Sequence, residues 1–282
     1  MRPKMMDLRF MLKLIPDKDI SVNHTKIAGI PTLILRPKNW APNAPGLLWI
    51  HGGGYILGFK EMVFMGRAAN LVKRFGITVF SPGYRLAWQK PYPAAVDDCH
   101  AVLQYMDANR KELGIKGIMV GGESAGGGLA AGLCMMARDQ GIQVDYQFPL
   151  YPMLSNLDTD SSINNHGKVW NTRRNHLGWN MYLRRDAKKK VHPYASPAQQ
   201  TDYSNLPPCY TFVGDGETCY SETLTCVQNL RNAGVEADVD IYHTDTHAFD
   251  MLNPQDEISR QAIMAFEAKA EKTIQNIKSL YQ

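Results

Sequence analysis

The sequence predicts an α/β domain with a mainly parallel central sheet that helices cover on both faces. Short apolar runs such as residues 47–50 and 118–120 have the length and composition of buried strands. Segments with helical periodicity alternate with these runs, and several stop at a glycine such as Gly76 or Gly114, which is typical of a helix C-terminus. Alternation of short apolar strands with helices is the pattern of parallel sheets that are buried on both sides.

The elements are expected in a fixed order along the chain. Prolines bound the first strand, at 30–37, and a loop rich in proline and asparagine leads to the second strand. The strands are expected at 30–37, 47–50, 77–80, 118–120, 147–150, 210–213 and 239–242, with Pro149 weakening the fifth. The helices are expected at about 62–75, 93–113, 124–140, 224–233 and 256–280.

One polar stretch interrupts this alternation. The 282 residues fit a single α/β domain, 1–282, and residues 155–200 read as an insertion in it. Trp170, Trp179 and Tyr182 stand among charged residues of this insertion. Because aromatic side chains commonly line pockets, we expect 155–200 to form a cap that shapes a binding pocket at the end of the sheet. The alternative is an ordinary surface excursion.

Composition excludes several classes of protein. The formal net charge of +4 is too small and too dispersed for a nucleic-acid binder, and the densest basic run, 184–190, reads as a solvated helix end. The five cysteines are an odd number without a CxxC pair, so we expect reduced thiols in a cytoplasmic protein. No apolar run reaches about eighteen residues, so no membrane-spanning helix is expected, and the N-terminus is a poor signal peptide.

The stretch 122–126, Gly-Glu-Ser-Ala-Gly, contains a candidate nucleophile. It matches the pattern G-x-S-x-G, which places a serine on a sharp turn between a strand and a helix. Ser124 follows the strand at 118–120 and opens a helix rich in alanine and glycine, which is the context that the pattern requires. The alternative is a phosphate-binding loop, but neither glycine-rich phosphate pattern is matched.

A second glycine-rich stretch, His51-Gly52-Gly53-Gly54, follows the strand at 47–50. Glycines there allow backbone N–H groups to turn toward one point. We expect Gly52 and Gly53, together with Ala125, to donate to an oxyanion that forms during acyl transfer. The alternative is a flexible loop.

The serine needs a general base. In hydrolases with this serine turn, the acid and then the histidine follow the serine along the chain. Of the eight histidines, His243 and His247 lie late enough. His247 is preferred, because it lies in a loop that could carry the imidazole to the serine, whereas His243 continues the strand at 239–242.

The acid should follow the strand at 210–213. Asp215, Glu217 and Glu222 are the candidates. Asp215 lies in a Gly-Asp-Gly segment that could be a plain turn, and Glu217 could also be a helix-start carboxylate. Residue chemistry alone does not separate Asp215 from Glu217.

With these motifs the chain resembles the hormone-sensitive-lipase-like branch of the α/β-hydrolases, which includes bacterial carboxylesterases. The resemblance covers most of the chain from about residue 30, and five motifs carry it: HGGG at 51–54, YRLA at 84–87, PYPAA at 91–95, ESAGG at 123–127 and HAF at 247–249. It implies the α/β-hydrolase fold with a helical cap, to which the N-terminal segment 1–25 would contribute along with 155–200.

The resemblance also implies roles for the candidate residues. Ser124 matches the family's nucleophile, His247 its base, and Gly52, Gly53 and Ala125 its oxyanion donors. Members of the family commonly have aspartate, proline and leucine at the acid; Glu217, Thr218 and Cys219 stand there, so Glu217 is chosen and Asp215 kept in reserve. Gly83 and the pair Trp88-Gln89 also depart from the family pattern. These differences concern how neighbouring loops are supported more than the reaction itself.

The expected function is hydrolysis of carboxylic esters through an acyl-enzyme, with short to medium acyl chains implied by the resemblance. No metal or other cofactor is expected, and the expected partner is a small ester, with no nucleic acid and no membrane span; a homo-oligomer is left open. Two alternatives remain: an amidase or peptidase with the same triad, and a catalytically inactive binding protein.

Overall fold

The computed structural model describes residues 17–281 and contains an eight-stranded sheet. The strand order is β1-β2-β4-β3-β5-β6-β7-β8; β1 and β4 each pair with β2 antiparallel, and the other neighbours are parallel. This confirms the mainly parallel α/β fold. The strands are β1 (Ile20–Ile27), β2 (Ile30–Pro37), β3 (Ala44–Ile50), β4 (Thr78–Pro82), β5 (Ile115–Glu123), β6 (Tyr146–Leu150), β7 (Cys209–Gly214) and β8 (Ala237–Tyr242).

Helices cover both faces of this sheet. Side chains alternate along a strand, so Leu48 and Ile50 of β3 enter one core while Leu47 and Trp49 enter the other. The first core is completed mainly by α2 and α4, the second by α1 and α8. The helices are α1 (Ala68–Phe75), α2 (Ala94–Ala108), α3 (Arg110–Leu113), α4 (Ala125–Asp139), α5 (Thr172–Leu183), α6 (Tyr220–Asn232), α7 (Phe249–Leu252) and α8 (Glu257–Leu280).

Two expected helices are interrupted. The helix expected at 62–75 is a 3₁₀ turn, Lys60–Phe64, followed by α1, and Gly66 lies between them where its backbone packs against the side chain of Glu123. The helix expected at 93–113 divides into α2 and α3 at Asn109, whose side chain bonds the carbonyl of Tyr105 at 2.8 Å. The first break coincides with a tertiary contact, and the second with a side-chain bond to the backbone four residues earlier.

The N-terminal part of the described chain belongs to the sheet. Residues 20–25, expected in the cap, lie in edge strand β1, which buries only its first and last side chains and so shows no apolar pattern that would predict it. Residues 1–16 lie outside the described part of the chain, and their share in the cap stays a prediction. Within 17–281, no helix has the length and hydropathy that crossing a membrane requires.

The insertion at 155–200 connects β6 to β7. It contains α5 and two 3₁₀ turns, Arg184–Asp186 and Pro197–Gln199. Trp179 and Tyr182 of α5 are buried against Tyr55, whose ring stacks on Tyr182 with 4.1 Å between centroids. These two aromatic side chains therefore anchor the insertion to the loop that follows β3.

Parallel strands bring several loops to one edge of the sheet. The carboxyl ends of β3, β5, β7 and β8 lie at the same edge, because these strands run in the same direction. The residues that follow these four strands are the HGGG loop, Ser124, the segment with Asp215 and Glu217, and the loop with His247. The fold thus gathers at one edge residues that are far apart in sequence.

Candidate active site

Ser124 occupies the sharp turn between β5 and α4. Its backbone has φ 56° and ψ −119°, which is unfavourable for a residue with a side chain and is held by the surrounding structure. Its N–H donates to the carbonyl of Leu150 at 3.0 Å, and its carbonyl accepts from Gly128 and Met153. A side chain at Gly122 or Gly126 would collide with the carbonyl of Ile50. The small residues of the motif therefore allow the turn to pack against β3.

His247 lies beside the Ser124 hydroxyl. The distance from His247 Nε2 to Ser124 Oγ is 2.8 Å, and His247 Nδ1 is hydrogen-bonded to Glu217 Oε2. All three residues are buried. A carboxylate oxygen only accepts, so Nδ1 carries the hydrogen and Nε2 is left to accept the serine proton. The arrangement can therefore deprotonate Ser124 as its oxygen attacks a carbonyl carbon.

The two candidate acids have different partners. Glu217 Oε1 accepts from the N–H of Gly214 at 3.1 Å, so both of its oxygens are bound. Asp215 instead bonds His243 Nδ1 at 2.8 Å, which raises the pKa of that exposed imidazole. Neither Asp215 nor His243 contacts Ser124 or His247 through a hydrogen bond in residues 17–281.

Glu222, the third candidate, faces the start of the insertion. Its carboxyl oxygens accept from the N–H groups of Leu154 at 2.8 Å and Ser155 at 3.3 Å. Burial raises the pKa of Glu222 to about 8. Glu222 therefore binds backbone, while Glu217 binds the imidazole.

The HGGG loop lies next to the serine turn. A side chain at Gly52 would come within 3.3 Å of Ser124 Cβ, and Gly53 has a φ of 110°, which favours glycine. Ala125 is the first residue of α4, so its N–H has no acceptor within the helix. The three predicted oxyanion donors therefore belong to two backbone segments that meet at Ser124.

Buried side chains support this loop. The ring of His51 stacks on Tyr84 with 4.3 Å between centroids, and Tyr84 donates from its hydroxyl to the His51 carbonyl at 3.0 Å. Burial lowers the pKa of His51 to about 4, so its imidazole is neutral. Tyr84 was visible in the sequence only as part of the YRLA motif; its bond to the loop is a tertiary contact.

Of Trp170, Trp179 and Tyr182, Trp170 is the one whose ring lies near His247. Its ring is 6.2 Å from that of His247, and it contacts the backbone of Gly54, where a side chain would overlap it. Its indole N–H donates to Asn175 Oδ1 at 3.2 Å. Trp170 therefore spans the space between the HGGG loop and His247.

A possible set of metal ligands overlaps this site. Ligand atoms of Glu217, Cys219 and His247 lie within 4.8 Å of one another. Two of these residues, Glu217 and His247, are already hydrogen-bonded to each other. Both ring nitrogens of His247 are therefore already hydrogen-bonded, Nδ1 to Glu217 and Nε2 to Ser124.

No sequence pattern marks a buried polar cluster that lies behind the serine. Trp49 Nε1 donates to Glu123 Oε1 at 2.9 Å, and Arg67 lies 3.5 Å from Asp250. Burial raises the pKa of Glu123 to about 8. Glu123 is therefore largely protonated at neutral pH, directly before the serine.

This raised pKa makes stability depend on pH. The folded protein holds the Glu123 proton more tightly than the unfolded chain, whose glutamate has a pKa near 4.5. Below the pKa of the unfolded chain, the protonated Glu123 contributes its whole share to the free energy of unfolding. This share is lost as the pH rises toward the pKa of Glu123 in the folded protein. We expect Glu123→Gln, which keeps the acceptor for Trp49, to lose less stability than wild type between about pH 5 and about pH 8.

The measurement is the free energy of unfolding in urea across this range. Each unit of pKa shift corresponds to about 1.4 kcal/mol, so the difference in pH dependence should reach a few kcal/mol. The pKa of Glu222 is also raised, but Glu222 is present in both proteins, so its effect cancels in the comparison. Parallel stability curves for the two proteins would contradict the prediction.

Known proteins share this sequence pattern and architecture. A family model described as alpha/beta hydrolase fold matches residues 47–251. The protein R526 of Acanthamoeba polyphaga mimivirus is 29% identical over 229 residues, which are 78% of this chain and 65% of that protein. The carboxylesterase NlhH of Mycobacterium tuberculosis is 29% identical over 266 residues, 88% of this chain and 81% of NlhH.

A solved structure agrees over a larger part of the chain. The bacterial heroin esterase has a TM-score of 0.86 and 29% sequence identity, covering 98% of this chain and 90% of its own. The family match spans the strands that carry the HGGG loop, Ser124 and Glu217, and includes His247. The chain belongs to the α/β-hydrolase family, in the hormone-sensitive-lipase-like branch that contains carboxylesterases.

Proposed function

We propose that this protein hydrolyses carboxylic esters, with Ser124 as nucleophile, His247 as general base and Glu217 as the acid of the triad. The observation that carries the proposal is the continuous hydrogen-bonded series from Ser124 Oγ through the imidazole of His247 to Glu217. The carboxylesterase and esterase relatives support the same reaction class.

In the acylation step, Ser124 Oγ attacks the ester carbonyl carbon while His247 Nε2 takes the hydroxyl proton. The carbonyl oxygen becomes an oxyanion, which accepts hydrogen bonds from the N–H groups of Gly52, Gly53 and Ala125. Glu217 stabilises the imidazolium. The carbon–oxygen ester bond then breaks, and His247 returns the proton to the departing alcohol, leaving an acyl group on Ser124.

Deacylation repeats these steps with water. His247 removes a proton from a water molecule, whose oxygen attacks the acyl carbon and forms a second oxyanion at the same three N–H groups. The bond to Ser124 Oγ breaks, the serine regains a proton from His247, and the carboxylic acid leaves. No step requires an electron donor or acceptor.

Trp170 supports a preference for small substrates. It lies between Gly54 of the donor loop and the ring of His247, while Trp179 and Tyr182 are turned into the core. A rigid indole in this place limits the room beside the reacting carbonyl. We therefore propose short to medium acyl chains, with Trp170 as a wall of the site.

The size preference predicts the behaviour of one variant. Trp170→Ala should shift the optimum of kcat/KM toward longer p-nitrophenyl esters, by about tenfold for a chain a few carbons longer. Trp170→Phe keeps an aromatic wall and serves as the matched control. The measurement is a series of esters of increasing acyl length. An unchanged chain-length profile in Trp170→Ala would show that the indole does not limit substrate size.

The reaction itself is tested by labelling and turnover. We expect a fluorophosphonate probe to label the wild type on Ser124, as identified by peptide mass spectrometry, and short p-nitrophenyl esters to be hydrolysed. Esters should be turned over much faster than the matching anilides. Faster anilide turnover would indicate an amidase, and the absence of both labelling and turnover would indicate a binding protein.

We also propose that the protein works in the cytoplasm. Four of the five cysteines are buried and the fifth is half-buried, each as a free thiol within the packed chain. Free thiols of this kind are typical of a reducing compartment. Cell fractionation with an antibody against the native protein tests this location.

A further inference from the structure

The helix that follows Glu217 begins without a side-chain cap from its own residues. This helix, α6, starts at Tyr220, and its N-cap residue Cys219 makes no capping hydrogen bond. The first N–H groups of a helix have no acceptor inside the helix and need partners from elsewhere. The N–H of Tyr220 bonds the carbonyl of Glu217 at 3.3 Å, and the next N–H of α6 takes its acceptor from another part of the chain.

Ser161, near the start of the insertion at 155–200, supplies that acceptor. Its hydroxyl accepts a hydrogen bond from the N–H of Ser221 at 2.9 Å and donates to the carbonyl of Thr218 at 2.8 Å. Its own N–H donates to Ser221 Oγ at 3.1 Å. One serine thus caps the first turn of α6 from a position 60 residues away in the sequence.

Two further contacts join the same two segments. Asn165 Nδ2 donates to the carbonyl of Gly216 at 3.0 Å, directly before Glu217. On the other side of Glu217, the carboxyl of Glu222 accepts from the N–H groups of Leu154 and Ser155. Residues 154–165 therefore hold residues 216–222 on both sides of the proposed acid.

We infer that Ser161 is a positioning residue for Glu217. This inference rests on the proposed function, because it assigns Ser161 a role in the same triad. By capping α6, Ser161 holds the backbone from which the Glu217 carboxylate reaches His247 Nδ1. Catalytic groups must be held within about 0.5 Å of their productive geometry by such supporting contacts. Loss of the Ser161 hydroxyl should weaken the support that Glu217 gives to the imidazolium.

The neighbouring serine provides a matched control. The hydroxyl of Ser162 accepts from the N–H of Thr159 at 2.8 Å and makes no contact with residues 216–222 in the hydrogen bonds of the described chain. We expect Ser161→Ala to lower kcat about tenfold with KM changed less than about twofold, and Ser162→Ala to keep kcat within about twofold. Ser161→Thr, which restores a hydroxyl, should recover most of the activity.

Activity is expressed per active site, counted as the end-point of fluorophosphonate labelling, so that partial misfolding does not imitate a loss of kcat. Equal kcat values for Ser161→Ala and Ser162→Ala would overturn the inference, and so would failure of Ser161→Thr to recover activity. If the wild type is active and Ser124→Ala is not, such a result leaves the proposed function intact.

A spectroscopic measurement tests the inference independently of ester hydrolysis. The proton shared by His247 Nδ1 and Glu217 should give a downfield NMR resonance, assigned by its loss in His247→Ala. We expect this resonance to persist in Ser162→Ala and to broaden in Ser161→Ala, because a looser acid exposes the proton to exchange. An unchanged resonance in Ser161→Ala would overturn the inference even if the protein proved inactive on esters.

Discussion

Ser124→Ala is expected to lower kcat for a short p-nitrophenyl ester by about 10⁵- to 10⁶-fold, the loss seen when a serine nucleophile is removed from a triad. The variant keeps the proposed oxyanion donors and His247 but has no oxygen to form the acyl-enzyme. Some hydrolysis by water should remain, because the donors still stabilise the oxyanion. The measurement is kcat and KM with a purified protein whose Tm is recorded in parallel.

The control for this variant is Ser204→Ala. Ser204 Oγ bonds only the nearby carboxylate of Asp202 among the described residues, so its removal should leave kcat unchanged. The Tm of Ser124→Ala should stay near that of the wild type, because alanine retains the Cβ and the backbone of the turn. Full activity in Ser124→Ala would exclude the proposed nucleophile and with it the covalent mechanism.

Glu217→Gln is expected to give the second largest effect, a fall in kcat of about 10³- to 10⁴-fold. The amide cannot stabilise the imidazolium as a carboxylate does, and its NH₂ group can favour the wrong tautomer of His247. Because Glu217 and His247 are both buried, water cannot replace the lost charge. The measurement is kcat across the pH range in which the protein is folded.

The structure offers a neighbouring carboxylate as the matched control. Asp215→Asn changes a residue that bonds the exposed His243, and it should leave kcat within about twofold of the wild type. The pair of variants decides which acid serves the triad. A large loss in Asp215→Asn with little change in Glu217→Gln would assign the role to Asp215 instead.

How far the sequence predicts this site depends on whether the signal is local. The strand, turn and helix around Ser124 were predictable because the small residues of one short segment specify them. His247 followed from its order in the chain. The choice between Asp215 and Glu217 stayed open in the sequence, because the two are separated by one residue and only the folded loop directs each toward a different histidine.

Other parts of the structure left no readable pattern. Edge strand β1 buries only its first and last side chains, so apolar alternation does not mark it. The contacts of Ser161 with residues 218 and 221 join segments that are distant in sequence, and serine is common in loops. Periodicity and motif spacing could not predict these tertiary partners, because they depend only on residues that are close together in the sequence.

The hydrogen bonds between residues 154–165 and 216–222 also bear on how such enzymes can be engineered. Exchanging residues 155–200 for the matching segment of a relative would normally be planned as a change of substrate pocket alone. Here the exchanged segment would also have to carry a hydroxyl at 161 and an amide at 165, because those groups bind the backbone of residues 216–221, which includes the proposed acid. A chimera that lacks them should bind its new substrate and turn it over slowly.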